Sequence, residues 1–402
     1  MVGLKDPKII TIFVFLMTYL VLGKSTAKGG RSLSRKQEDD DLDLELQLKL
    51  LNKPAVKSIK TKYGDIYDCV DIKKQPAFDH PLLRNHTIQM EPSSFPVGLI
   101  NKELLESKPS KIRVKSNRCP PRTILIRRTQ KKDIIRAKSQ VRRYPRYTHQ
   151  LTAKNPGYHF ATFQIGNSYI KSYERFFSIN QFSGAVLWVE NGPIDQLNSI
   201  QLGWMVNPKL FGDNRTRSFS YRTADGFHKT GCFNLLCPGF VQVSRKQAFG
   251  TPYMKIPIHG GVQYEDDFLL FKDPKSGNWW YTTTYDGRQE PVGYWPSSLF
   301  TTLRDSASMI ASGGEVYSPT SESSPQMGNG HLPTIPVDTE STAYARMLQF
   351  VDENFSLVDP PASLLGFHMD SPTCYEVESV VSQQKDWINS ILFGGPGGVC
   401  GI

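Results

Sequence analysis

Asn198-Ser-Ile-Gln-Leu-Gly-Trp204 and Gly313-Gly-Glu-Val-Tyr317 each read as a β-strand carrying one polar side chain, with a glycine two residues away. Side chains alternate across a strand, so residues two apart share a face. Gln201 and Gly203 therefore lie together, opposite Ile200, Leu202 and Trp204. Gly313, Glu315 and Tyr317 lie together in the second stretch. A polar head beside a bare glycine marks a groove floor that a peptide backbone can approach closely. A Gln and a Glu facing each other across such a groove make a peptidase pair. From spacing alone, a solvent-facing Gln201 and a strand-end Glu315 are the simpler reading, and only the wider sequence favours the pair.

Outward from these two stretches, residues 148–402 keep one pattern. Short runs rich in Val, Ile, Phe, Tyr, Trp and Thr are separated by turn residues, as in Tyr158–Ile165, Ala185–Glu190, Ser218–Tyr221, Phe240–Val243, Phe268–Phe271 and Trp279–Tyr285. Asp225-Gly226, Asp273-Pro-Lys-Ser-Gly277 and Asp286-Gly287 supply turns. A short helix is expected over Pro296–Leu303. The pattern predicts one all-β, antiparallel sandwich with a sizeable core. No G-x-S-x-G, H-E-x-x-H or P-loop occurs, so serine-hydrolase, zincin and nucleotide-binding chemistries lack their motifs.

Residues 1–27 read as a secretory signal. Lys5 and Lys8 precede an apolar run from Ile9 to Leu22, and Ser25-Thr-Ala27 gives a small-x-small cleavage pattern. The run is short for a membrane span, so the mature chain is expected off the membrane and outside the cell. In that compartment six cysteines read as three disulfides. Sequence alone leaves all pairings of six open; local spacing favours Cys232 with Cys237, then Cys374 with Cys400 and Cys69 with Cys119. No Cys/His cluster has zinc-ligand spacing, and no metal is expected. Asn85, Asn214 and Asn354 stand in glycosylation sequons.

Charge divides the chain. Residues 28–147 carry 28 basic against 14 acidic side chains, net +14, and residues 148–402 carry 17 against 23, net −6. A basic chain ordinarily raises nucleic acid as a partner, but secretion and the confinement of the excess to the N-terminal third argue against it. Residues 122–147 read as an exposed basic linker with Arg127-Arg128, Lys131-Lys132, Arg142-Arg143 and Arg146, suited to processing proteases. The expectation is a zymogen in which a basic pro-segment, residues 28–121, sits over an acidic catalytic domain and blocks its groove through ion pairs that acid weakens. Within it, Leu42 to Leu51 reads as a helix, and Ile59 to about Met90 as a small unit of strands and turns.

With these pieces in place the chain resembles the neprosin family, plant secreted proteins related to a prolyl endopeptidase of pitcher-plant digestive fluid. Lys74-Gln-Pro-Ala-Phe-Asp-His-Pro-Leu-Leu83, running on through Asn85-His-Thr-Ile-Gln-Met90, is similar to the family's activation-peptide motif. Thr223-Ala-Asp-Gly226, Thr230-Gly-Cys-Phe-Asn-Leu-Leu-Cys-Pro-Gly-Phe-Val-Gln242, Gly277-Asn-Trp-Trp280, Val292-Gly-Tyr-Trp-Pro296, Gly313-Gly-Glu315, Gln326-Met-Gly-Asn-Gly-His331 and Gly394-Gly-Pro-Gly397 resemble the catalytic region. The resemblance implies a β-sandwich behind a small mixed α/β activation domain. It also implies a monomeric glutamic peptidase that works in acid, cuts after proline, uses no metal or cofactor, and meets peptide or unfolded-protein substrates in the apoplast, cell wall or vacuole. The family pairs two glutamates. Glu315 matches the second; Gln201 stands where the first is expected. The fungal glutamic peptidases, which resemble this fold, pair a Gln with a Glu. A glutamine N–H can donate to the developing oxyanion without a proton to lose, while Glu315 serves as general base. Gly203, Gly313, Tyr317, Trp280 and Trp295 are the expected substrate contacts, the aromatic faces stacking on proline rings. The rival reading is a silent extracellular binding module that holds proline-rich or glycan chains.

Overall fold

The computed structural model describes residues 41–99, 119–141, 157–165, 181–254, 256, 264–285, 288–334, 342–361, 363, 365–380 and 387–400. The expected signal segment and Arg142, Arg143 and Arg146 lie outside the described residues. Residues 41–51 form α1. A three-stranded antiparallel sheet follows from β1 (Ala55–Lys60), β2 (Ile66–Asp71) and β3 (Thr123–Arg127), in that order. Helix α2 (Lys131–Val141) comes next.

The large sheet has seven strands: β4 (Tyr158–Ile165), β5 (Phe182–Asn191), β6 (Asn198–Val206), β7 (Thr216–Thr223), β8 (Cys232–Phe233), β13 (Met309–Tyr317) and β17 (Leu365–Met369). Their order is β17-β4-β13-β5-β6-β7-β8, antiparallel throughout. The four-residue α3 (Pro208–Phe211) links β6 to β7; Asn207 caps it by accepting from the Leu210 N–H, and Gly212 closes it in the left-handed conformation. Two smaller sheets pack on one face of the large sheet. One is β9 (Val241–Gln242), β10 (Leu269–Lys272), β11 (Trp279–Tyr285) and β12 (Arg288–Trp295), ordered β10-β11-β12-β9; the other is β14 (Ala343–Ala345), β18 (Glu376–Val380) and β19 (Ser390–Gly394), ordered β14-β19-β18. β15 (Phe350–Val351) and β16 (Leu357–Val358) make a two-stranded ladder. Pro296–Leu303, expected as one helix, is two 3-10 turns instead.

The sandwich follows from alternation. Val189, Ile200 and Leu202 enter a core shared with Trp279, Trp295 and Leu299, while Ala161, Phe163, Ile165 and Val316 enter a second core with Val377, Ile391 and Phe393. Burying each large apolar side chain contributes roughly 1.5–3 kcal/mol. The opposite face of the large sheet carries Gln201 and Glu315.

The pro-segment departs from the expectation in three ways. The described residues 122–141 are not a plain linker. Thr123–Arg127 completes the first sheet, Arg127 is paired with Asp65 at 2.8 Å, and Arg128 with Asp68 at 2.6 Å. The pro-segment also packs mainly on the outer face of the β9–β12 sheet. Ile72, Ala77, Leu83 and Ile124 join its core, Phe95 meets Phe271, and the Gln75 amide exchanges hydrogen bonds with the Gln242 backbone. An ion pair across this junction among the described residues runs opposite to the charge count, because acidic Asp65 comes from the pro-segment and basic Arg217 from β7. Among the described residues, the segment meets the sheet through a hydrophobic surface and these specific partners.

The three disulfides are Cys69–Cys119, Cys232–Cys237 and Cys374–Cys400, as spacing favoured. The first lies within the pro-segment, so no disulfide among the described residues ties it to the sandwich.

Candidate active site

Antiparallel pairing arranges the free face of the large sheet into rows. Met309, Glu190, Ser199 and Thr223 form the first row. Ala311, Trp188, Gln201 and Tyr221 form the second, and Gly313, Val186, Gly203 and Phe219 the third. Glu315, Gly184, Met205 and Arg217 form the fourth; Tyr317 and Phe182 begin the fifth. Gln201 and Glu315 thus share a face but not a strand pair. They stand on β6 and β13 with β5 between them, two rows apart. On a flat sheet that is ~13 Å along the strands and ~10 Å across them.

The sheet is not flat at that point. Gly203 has φ 157° and Gly313 φ 149°, a region that only glycine occupies readily. A Cβ on Gly203 would overlap the Ala185 carbonyl oxygen, and one on Gly313 that of Ala161. Both lie in the third row, between the rows of Gln201 and Glu315. Paired glycine kinks in one row are a means of curving a sheet. Their close approach is to neighbouring backbone, which is a more specific reason for glycine than substrate access.

Gly184 stands beside Glu315, where a Cβ would come within 3.0 Å of the Trp204 carbonyl oxygen. Around Glu315 stand Tyr158, Phe160, Phe182 and Tyr317, with the Tyr158 and Tyr317 rings 4.6 Å apart and the Phe182 and Tyr317 rings 6.1 Å apart. On the Gln201 side Tyr221 packs on Phe233 at 4.4 Å. In this unprocessed chain Gln201 is 2% exposed and Glu315 4%. Ala137 of α2 packs against the aromatic cluster of this face.

Tyr317 is on the expected face, but Trp280 and Trp295 are not. Trp280 shares a row with Phe271 and Tyr294 on the outer face of the small sheet, beneath Phe95 and His86 of the pro-segment. Trp295 pairs with Trp279 on the inner face, where Trp279 Nε1 donates to the Leu303 carbonyl at 2.8 Å. Both are core residues, 0% and 1% exposed. Alternation correctly separates Trp279 from Trp280, but both faces of that strand are covered. The rings beside the polar pair are Trp188, Tyr158, Phe160 and Phe182, which the motif reading missed. Trp188 and Glu190 could have been noted as residues two apart at the end of an apolar strand.

Gln201 has a hydrogen-bonded neighbourhood of its own. Its Nε2 donates to Ser199 Oγ at 3.1 Å, and Ser199 Oγ donates to Glu190 Oε1 at 2.6 Å. In the fourth row Arg217 is held by Asp213 at 2.6 Å and Asp65 at 3.1 Å. Burial opposes its charge, but these carboxylates hold Arg217 above the ordinary guanidinium value. Among the described residues no group of His, Cys, Asp or Glu is placed to hold a metal ion. Asn85, Asn214 and Asn354 are all exposed.

Two family models match the chain in order, the Neprosin activation peptide over residues 58–164 and Neprosin over residues 179–396. The chain belongs to the Neprosin family. The activation-peptide match runs from within β1 to within β4 and the Neprosin match covers β5 to β19, so the division is that of a peptidase zymogen.

Proposed function

We propose that this chain is the secreted zymogen of a glutamic endopeptidase that works in acid and cuts next to proline. The carrying observation is that Gln201 and Glu315 share one enclosed face across a glycine kink, among aromatic rings. The Glu315 carboxylate takes a proton from water, whose oxygen attacks the scissile carbonyl carbon. Gln201 Nε2–H donates to the carbonyl oxygen as it becomes negative. Glu315, now protonated, passes that proton to the leaving amine as the C–N bond breaks. A proline ring stacks on Tyr158, Phe182 or Tyr317. Processing is assigned to Arg142-Arg143 and Arg146, since Arg127 and Arg128 are ion-paired in and beside a strand.

The test is a digest of an unfolded proline-containing protein by the acid-activated chain, read by mass spectrometry, with Glu315→Gln as blank. New termini after proline that vanish in the blank support the proposal. If properly processed protein yields no termini, while Gln201→Glu does cut, the natural chain is a binding module.

A further inference from the structure

We infer that Glu190, acting through Ser199, is the positioning residue that sets which way the Gln201 amide points. The inference rests on the proposed role of Gln201 as oxyanion donor. Its observation is the buried chain Glu190–Ser199–Gln201, whose members are 3%, 0% and 2% exposed. Glu190 and Ser199 are direct cross-strand partners on β5 and β6, and Gln201 is two residues from Ser199 on the same face. The three side chains are therefore brought together by register and pleat rather than by a loop.

The donor inventory fixes the polarity. A serine hydroxyl has one proton and a carboxyl oxygen accepts it. That proton goes to Glu190, at 2.6 Å. Ser199 Oγ is then left as an acceptor for Gln201. A carboxamide has a nitrogen end and an oxygen end; only the nitrogen satisfies an acceptor. Turning the amide over would set Gln201 Oε1 against Ser199 Oγ near 3.1 Å, two acceptors with no proton between them. Such a mismatch in a buried place is costly. One N–H of Nε2 is used on Ser199, and the other remains for the oxyanion.

Glu190 does not belong to the reacting pair. Its row is three rows from that of Glu315, ~20 Å along a flat sheet. Without the carboxylate, Ser199 can rotate and donate to Gln201 Oε1, so both amide orientations become available. In one of them an oxygen faces the oxygen that turns negative. Oxyanion stabilisation depends on donors held in place before the reaction.

The experiment uses the acid-processed chain and a proline-containing peptide, with Glu190→Gln, Ser199→Ala, their double variant and Ser199→Thr. Glu190→Gln and Ser199→Ala should each lower kcat about tenfold to a hundredfold with KM nearly unchanged. The double variant should lose no more than either single one, because one chain of contacts is broken. Ser199→Thr, which keeps the hydroxyl, should recover most of the rate. Losses that add, or that fall on KM, would overturn the inference. A second readout does not depend on activity: the Gln201 carboxamide protons in a heteronuclear NMR spectrum, assigned by their disappearance in Gln201→Glu. They should exchange slowly in the parent and fast in Glu190→Gln and Ser199→Ala. Should the parent prove inactive, the oxyanion role fails, and unchanged exchange in the two variants would overturn the positioning as well.

Discussion

At Gly203 and Gly313 a single carbon atom decides whether the sheet can bend. Their φ values of 157° and 149° cost an ordinary L-residue conformational strain, and the carbonyl oxygens of Ala185 and Ala161 occupy the space where a Cβ would go. Neither obstacle is a flexible side chain, so the backbone itself must move. Gly203→Ala or Gly313→Ala should therefore destabilise the chain by about 3 kcal/mol or more, measured by denaturant unfolding. A change within about 0.5 kcal/mol would show that the kink is not needed. The glycines were legible as special from the sequence, since each sits beside a polar head on an apolar strand. The reason was not, because the obstructing carbonyls come from β5 and β4, distant in the chain from the glycines they crowd.

At the scale of elements, the arm from His80 to Ser93 is where an acid response of the pro-segment is predicted. His86 Nε2 lies 2.8 Å from the Tyr294 hydroxyl, which also accepts from the Gln89 N–H at 3.0 Å. Burial pushes His86 below its ordinary 6.5, and burial followed by the charge of Arg222 does the same to His80. A histidine with a depressed folded value contributes its stability above 6.5 and loses it as pH falls through that value. Asp273, on the turn after β10, accepts from the Ser93 N–H and hydroxyl and from Gln89 Nε2. Burial works against its charge, but the N–H groups of Ser276 and Ser93 and their hydroxyls hold it below 3.8. Its contribution is present above 3.8 and lost as pH falls through the lower value. The arm should loosen in two stages, the His80 and His86 contacts below 6.5 and the Asp273 anchor only below 3.8. Hydrogen exchange over residues 86–93 and tryptophan fluorescence from Trp280 beneath the arm would follow both. Asp273→Asn should merge the stages into the higher window; unchanged loosening in that variant would remove Asp273 from the account. Charge counting attributed an expected acid weakening to net charge; these individual partners predict it from a different origin.

Across the whole molecule, an alternating series of charges joins the pro-segment to the large sheet: Asp213, Arg217, Asp65, Arg127 and Asp133. Arg217 is 1% exposed and Asp65 5%, so each depends on its neighbours for compensation. Removing Asp65 leaves Arg217 to Asp213 and Arg127 to Asp133, each largely buried cation with one carboxylate fewer; a buried charge left with no partner typically costs about 3–5 kcal/mol, so this loss should be smaller. Asp65→Ala should lower the unfolding free energy of the unprocessed chain by about 1–3 kcal/mol in urea titrations. A change within about 0.5 kcal/mol would show that the series does not hold the pro-segment to the sheet.

What the sequence determined alone is what local chemistry governs. Alternation put Gln201 with Gly203, and Glu315 with Gly313 and Tyr317, because a strand has a period of two whatever surrounds it. Turn residues delimited Tyr158–Ile165 and Trp279–Tyr285 to the residue, and an even cysteine count with one short spacing led to the observed pairs. Tertiary structure decided everything that depends on which strands meet. It put β5 between Gln201 and Glu315, set Glu190 against Ser199, drew Arg127 into a sheet, and covered both faces of the strand that carries Trp279 and Trp280. Strand neighbours and register arise from contacts between distant segments, where the whole core chooses among pairings that are locally equivalent.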